Sequence, residues 1–145
     1  MKRCIVNPVV GYSKHPQADN PQFPRAARLM IFTVGGHTVV TGDHYHEGQL
    51  GFFIPEGAIV PDKLADEMWV RGKLAGGQRN RVKARDNFGV MSEGLFYGSQ
   101  GASWNPNWKP GDDVTDEVGV TFHGVQTANA TQSLRGETTT DREGS

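Results

Sequence analysis

Residues 80–98, NRVKARDNFGVMSEGLFYG, set a run of cations beside an apolar run punctuated by glycine. Side chains alternate between the two faces of an extended chain. Arg79, Arg81, Lys83 and Arg85 therefore share one face, and Val82 and Ala84 point the other way, toward a core. Same-face neighbours stand about 6.6 Å apart, twice the strand rise, which suits several contacts along an extended polyanion better than one enclosed substrate. Gly89, Gly94 and Gly98 read as strand bends or as places where another backbone comes close. Ser92-Glu93-Gly94 makes no nucleophile by itself, because a serine needs a base within hydrogen-bond reach and the sequence identifies none.

Outward from this stretch, strand signals dominate. RLMIFTVGGHTVVTGD gives two β-branched strands around Gly35-Gly36, and QLGFFIPEGAIVP gives another apolar strand ended by prolines. MKRCIVNPVV reads as a first strand, since Pro8 interrupts its apolar run and no small-residue cleavage site follows. DKLADEMWV is the one firm helix, with Asp62 as cap, Pro61 just outside it, and Leu64, Met68 and Trp69 as the buried stripe. Residues 99–111 are turn-rich. Short strands, frequent turns and one helix predict a mainly β fold, a small OB-fold-like β-barrel with one short helix over residues 1–121; a sandwich is the competing architecture. Residues 122–145 exchange apolar side chains for Gly, Thr, Ser, Gln and charge, and are expected to form a flexible or partner-ordered tail.

With 145 residues the chain is the size of one domain. No apolar run approaches the roughly 18 residues of a membrane span. Cys4 is the only cysteine, which excludes an internal disulfide and a cysteine-based zinc site and fits a cytoplasmic protein. The sequon at Asn129 would matter only in a secreted protein.

A formal net charge of -1 argues against binding nucleic acid through global charge. Yet Arg71, Lys73, Arg79, Arg81, Lys83 and Arg85 fall in one stretch without an acid, while acids dominate the C-terminal part. That run is either a solvated face or a local grip on a polyanion. Phe88, Phe96, Tyr97 and Trp104 offer stacking faces for bases where exposed, and core where buried. In GDHYHEG, His44 and His46 share a face if the segment is extended, with Asp43 and Glu47 on the opposite parity. A metal site there needs a third ligand such as His37 or His123; the simpler reading is a polar turn. No cofactor is implied, and neither GxxxxGK[ST] nor HExxH occurs.

HPQADNPQ, HYHEGQLGFFIPEGAIVPD, NRVKARDNFGVMSEGLFYG and WKPGDDVTDEVGVT, in that order, resemble the N-terminal OB-fold module of bacterial and viral RNA ligases, over about residues 15–121. HPQAD and GVMSEGL are more distantly similar to the tRNA-binding OB domains of some aminoacyl-tRNA synthetases. In such ligases a nucleotidyltransferase domain follows, with its covalent lysine in K-x-[DE]-G. The lysines here read KRC, KHP, KLA, KLA, KAR and KPG, so the resemblance carries no adenylylation lysine, and it implies an accessory module made as a separate protein.

The resulting expectation is a non-catalytic protein that binds RNA or single strands, accessory to RNA repair or ligation. Its contacts would be Arg79, Arg81, Lys83 and Arg85, with Lys14, His15 and Ser92 added. The alternative is an assembly protein, such as a phage or other viral particle component, that self-associates through the barrel. A third reading is an adapter for a separately encoded nucleotidyltransferase.

Overall fold

Residues 2–122 are described by this computed structural model. In chain order the elements are β1 (Val6–Pro8), β2 (Val10–Lys14), a 3-10 turn (Pro24–Arg28), β3 (Met30–Val34), β4 (His37–Thr41), β5 (Leu50–Pro55) and β6 (Ala58–Ile59). They continue with α1 (Asp62–Glu67), β7 (Arg85–Asn87), β8 (Val90–Ser92), β9 (Gly94–Gly98) and β10 (Thr121–Phe122). The fold is mainly β with one short α-helix, as the sequence predicts. Among the described residues the strands fall into four small antiparallel sheets, ordered β1-β5-β9, β2-β3-β4, β7-β8 and β10-β6.

β5 is the centre because its apolar run is continuous: from Gly51 to Pro55 every residue is buried. Such a strand must be covered on both faces. Phe52 and Ile54 join Cys4, Val6, Val60, Leu64, Tyr97, Trp108 and Val114 in one cluster. Phe53 points the other way, into Val9, Phe32, Val34, Val39 and Phe96. Each large side chain so buried contributes about 1.5–3 kcal/mol relative to exposure.

The pairing of β5 with β9 sets Phe53 opposite Phe96, Gly51 opposite Gly98 and Pro55 opposite Gly94. Each phenylalanine ring lies diagonally over a glycine of the other strand. A Cβ on Gly51 would stand 2.1 Å from Cζ of Phe96, and one on Gly94 would stand 2.7 Å from Cζ of Phe53 and 2.3 Å from the Ile54 carbonyl oxygen. The close-approach reading thus holds for Gly94. Gly89 is instead a turn residue at φ +89°, following Phe88 at φ +55°, in the β7-β8 hairpin.

The first strand passes between sheets at Val9, whose N–H donates to the Gln49 carbonyl and whose carbonyl accepts from Gly48, both at 2.8 Å. Gly35 and Gly36, at φ +56° and +82°, close the β3-β4 hairpin as its two-residue loop requires. The β10 strand pairs antiparallel with β6 and includes Phe122, the last described residue. The expected tail beyond it, with His123 and the sequon, lies outside the described residues.

Two segments depart from expectation, the first being the helix. Trp69 is not part of the helix stripe: Leu64 and Ala65 are buried and Met68 is half-buried, whereas Trp69 is 84% exposed. The helix ends at Glu67, and Trp69 lies beyond the cap residue Met68 in left-handed backbone at φ +60°, which turns its side chain off the buried face. Asp62 is the first helical residue rather than the cap, a position held by Pro61, and its carboxylate meets Arg71 instead. Second, residues 79–84 are not a regular strand. Only Arg85 belongs to a strand ladder, and Arg81 forms isolated bridges with Ile59 and Ala75.

Replacing Gly94 or Gly51 by alanine forces a ring or a carbonyl to move, and each change is expected to cost about 1–3 kcal/mol or more in urea unfolding. Gly42, where an added Cβ meets nothing within 4 Å, serves as the control: Gly42→Ala should fall within about 0.5 kcal/mol of the parent.

Candidate nucleic-acid interface

The cationic stretch is a folded ribbon. Its centre, residues 80–82, lies against β6: the Val60 N–H donates to the Asn80 carbonyl, the Val82 N–H to the Ala58 carbonyl, and the Gly57 N–H to the Val82 carbonyl. Arg81 exchanges both of its backbone bonds with Ala75 on the other side, each at 2.9 Å. Alternation survives locally, with Val82 buried between exposed Arg81 and Lys83. Arg79 closes the loop from the left-handed region at φ +56°, accepting from the Leu74 N–H, and the Arg85 guanidinium donates to the Lys73 carbonyl. These bonds draw Lys73 into the same group.

Lys73, Arg79, Arg81, Lys83 and Arg85 are all exposed, and among the described residues none forms an ion pair. Arg71 differs: its guanidinium bridges Asp62 and Asp66 at 3.2 and 3.1 Å. Five unneutralised cations gathered by backbone bonds make a surface suited to a row of phosphates.

A cleft of about 580 Å³ opens beside Ala84, lined by Lys2, Arg3, Ile5, His37, Phe53, Pro55, Glu56, Ala84 and Glu93. It adds two cations and an aromatic face that the sequence reading did not assign. The His37 ring lies flat on Phe53, 4.4 Å between centroids and 5° from parallel. The cleft's carboxylates are engaged locally: Glu56 accepts the Ala84 N–H, and Glu93 accepts the Thr38 N–H and pairs with His37 Nδ1 at 3.1 Å. Arg3 meets Asp113 at 3.5 Å. The adjacent cations Lys2 and Arg3 were the only signal available, and only tertiary contacts place them here.

Of the added contacts, Lys14 is exposed at the end of β2, but His15 and Ser92 are structural. His15 is 2% exposed. Its Nδ1 accepts the Gln17 N–H, so Nε2 carries the proton and donates to the Asn87 carbonyl at 2.6 Å, tying HPQAD to the β7-β8 hairpin. Ser92 is 8% exposed; its hydroxyl accepts the Val40 N–H at 3.0 Å and donates to the Gly94 carbonyl, standing in for ladder bonds between β4 and β8. Neither side chain reaches a ligand surface. Phe96 and Tyr97 are core, Phe88 packs on His15 and Phe23, and Trp104 is half-buried against Trp108.

A second cavity, of about 270 Å³, is bounded in part by Lys63, Glu67, Ser103, Trp108 and Glu117. Glu67 accepts hydrogen bonds from the Ser103 and Tyr97 hydroxyls, which hold its carboxyl below the ordinary value, and Trp108 Nε1–H donates to Glu117. Two carboxylates suit it poorly to phosphate. Between exposed His44 and His46, Tyr45 packs on Phe32 and Phe96, so the segment is a turn anchored by its tyrosine. No group of three His, Cys, Asp or Glu side chains that could hold a metal occurs among the described residues. Burial pushes the Cys4 thiol up to about 12. No helix among the described residues is long and apolar enough to cross a membrane.

Comparison with solved structures finds the RNA ligase of Naegleria gruberi. A variant with ATP and Mn matches at TM-score 0.67 and 21% identity, over 83% of this chain and 35% of the ligase chain. A variant with AMP and Mn matches at 0.68 and 20%, and the ligase with PPi at 0.66 and 20%, each over 84% of this chain and 35% of the other. The chain therefore spans about a third of the length of the ligase structures it matches. At this identity the likeness establishes a shared fold. No family model and no curated protein matches the sequence.

The Thr38 N–H and His37 hold the Glu93 carboxyl below the ordinary value of 4.5. A depressed carboxyl stabilises the fold above the unfolded value and stops doing so as pH falls through the folded one. Glu93→Gln is therefore expected to lower the melting temperature at pH 7 and to shrink the parent's loss of stability below about pH 4.5. Cys4 should react with a disulfide-exchange reagent only after denaturant unfolds the chain.

Proposed function

We propose that this domain is a non-catalytic module of the oligonucleotide-binding type that holds RNA or another single strand through backbone phosphates. The observation that carries the reading is the group of five exposed cations, Lys73, Arg79, Arg81, Lys83 and Arg85, without ion pairs among the described residues, with Lys2 and Arg3 added at the cleft. The fold shared with a third of an RNA ligase supports an RNA substrate and a role accessory to ligation. Catalysis would belong to a nucleotidyltransferase unit outside these residues, because no lysine among them lies in K-x-[DE]-G.

Phosphate contacts dominate such binding, so affinity falls with salt and depends little on base sequence. Arg81→Ala combined with Lys83→Ala should weaken single-stranded RNA binding and reduce the magnitude of the log-log salt slope by roughly 1.4, about 0.7 per cation on a single strand. Fluorescence anisotropy at two salt concentrations measures both. Unchanged affinity and slope, or a large symmetric assembly in light scattering with no nucleic-acid binding, would replace this reading with a structural role.

A further inference from the structure

Trp69 combines two unfavourable features for an ordinary surface residue. The end of α1 is a Schellman turn: the Val70 N–H donates to the Ala65 carbonyl at 2.9 Å and the Trp69 N–H to the Asp66 carbonyl at 3.2 Å. That geometry places Trp69 in the left-handed region at φ +60°, where glycine is favoured. The motif also leaves the largest apolar side chain 84% exposed, while the next residue, Val70, packs on the core. Among the described residues the indole makes no ring contact or side-chain hydrogen bond. Non-glycine residues held in such backbone concentrate at ligand sites.

The surroundings indicate what the indole meets. One turn further on, the Lys73 N–H donates to the Val70 carbonyl, and the Lys73 carbonyl accepts the Arg85 guanidinium. Leu74 and Ala75 then bond to Arg79 and Arg81, so the chain leaving Trp69 runs directly into the cation ribbon. Of the three acids of α1 before it, Asp62 and Asp66 are bridged by Arg71 and Glu67 is held by the Tyr97 and Ser103 hydroxyls, which limits their repulsion of an anion. An exposed indole four residues ahead of Lys73, the first of a group of cations without ion pairs among the described residues, matches a ligand with alternating flat faces and negative charges.

We propose that Trp69 stacks on an unpaired base of the strand whose phosphates the ribbon holds, which makes the site selective for single strands over duplex. This inference rests on the nucleic-acid reading above. A base inside a duplex keeps its faces occupied by its neighbours, whereas a single strand can lend one to the indole.

The test uses the full chain with Trp69→Gly, Trp69→Phe and the Arg81→Ala/Lys83→Ala pair, titrated by anisotropy with a labelled oligouridylate and with an RNA duplex. Trp69→Gly should bind the single strand roughly ten-fold more weakly, with duplex affinity and salt slope unchanged, and should melt higher, because glycine suits the left-handed position. Trp69→Phe should retain most single-strand affinity. If Trp69→Gly loses no affinity while the cation pair does, the stacking inference is wrong and the phosphate reading stands. If the parent binds neither RNA at low salt, both fall. If Trp69→Gly turns a dimer into a monomer with RNA affinity unchanged, the indole covers a second copy and the inference is overturned.

Discussion

Two phenylalanines, each lying over a glycine of the opposite strand, set the geometry on which the molecule depends. Phe53 and Phe96 face one another across β5 and β9, and their rings reach diagonally over Gly94 and Gly51, where no side chain larger than hydrogen fits. The arrangement fixes the register, since a slip of one residue would exchange the faces on which Phe52 and Phe53 are buried. Phe53 also connects this core to the surface. Its ring supports His37 at the cleft, so the strand that separates the two hydrophobic clusters also supplies the cleft's aromatic floor.

The cation ribbon is anchored by its main chain, and of its side chains only the Arg85 guanidinium is engaged by a hydrogen bond among the described residues, to the Lys73 carbonyl. Residues 80–82 are bonded to β6 on one side and to Ala75 on the other, and the Ala84 N–H is satisfied by Glu56. These bonds fix the ribbon's path, while the long side chains of Arg79, Arg81 and Lys83 are exposed and, having no ion pair among the described residues, can meet phosphates without first breaking one. Irregularity contributes here, because the 76–79 turn folds Lys73 and Arg79 back beside Arg81, a grouping that a straight strand would not produce.

Local chemistry made much of this legible in the sequence. The Gly35-Gly36 hairpin, the continuous apolar run of β5 and the helix beginning after Pro61 each carry their own signal, and all are present. The failures were tertiary. Alternation placed Arg79 through Arg85 on one strand, but the backbone of Arg81 pairs with Ala75, a partner that only folding reveals. His15 and Ser92 looked like surface contacts because both are polar. They are buried where neighbouring strands lack ladder bonds, and their side chains supply the missing partners. Trp69 looked like core because helix periodicity was carried two residues past Glu67. The adjacent Lys2 and Arg3 lie far from His37 in sequence, and no local pattern joins the pair to it.

The proposed ligand contacts are Trp69, the ribbon and the cleft. Amide chemical-shift mapping of the labelled protein during titration with single-stranded RNA tests that placement most directly. The account predicts that the largest changes fall on Trp69, Lys73, residues 79–85 and His37, with the Glu67 cavity silent. Changes centred on that acidic cavity instead, or no change at all, would contradict it.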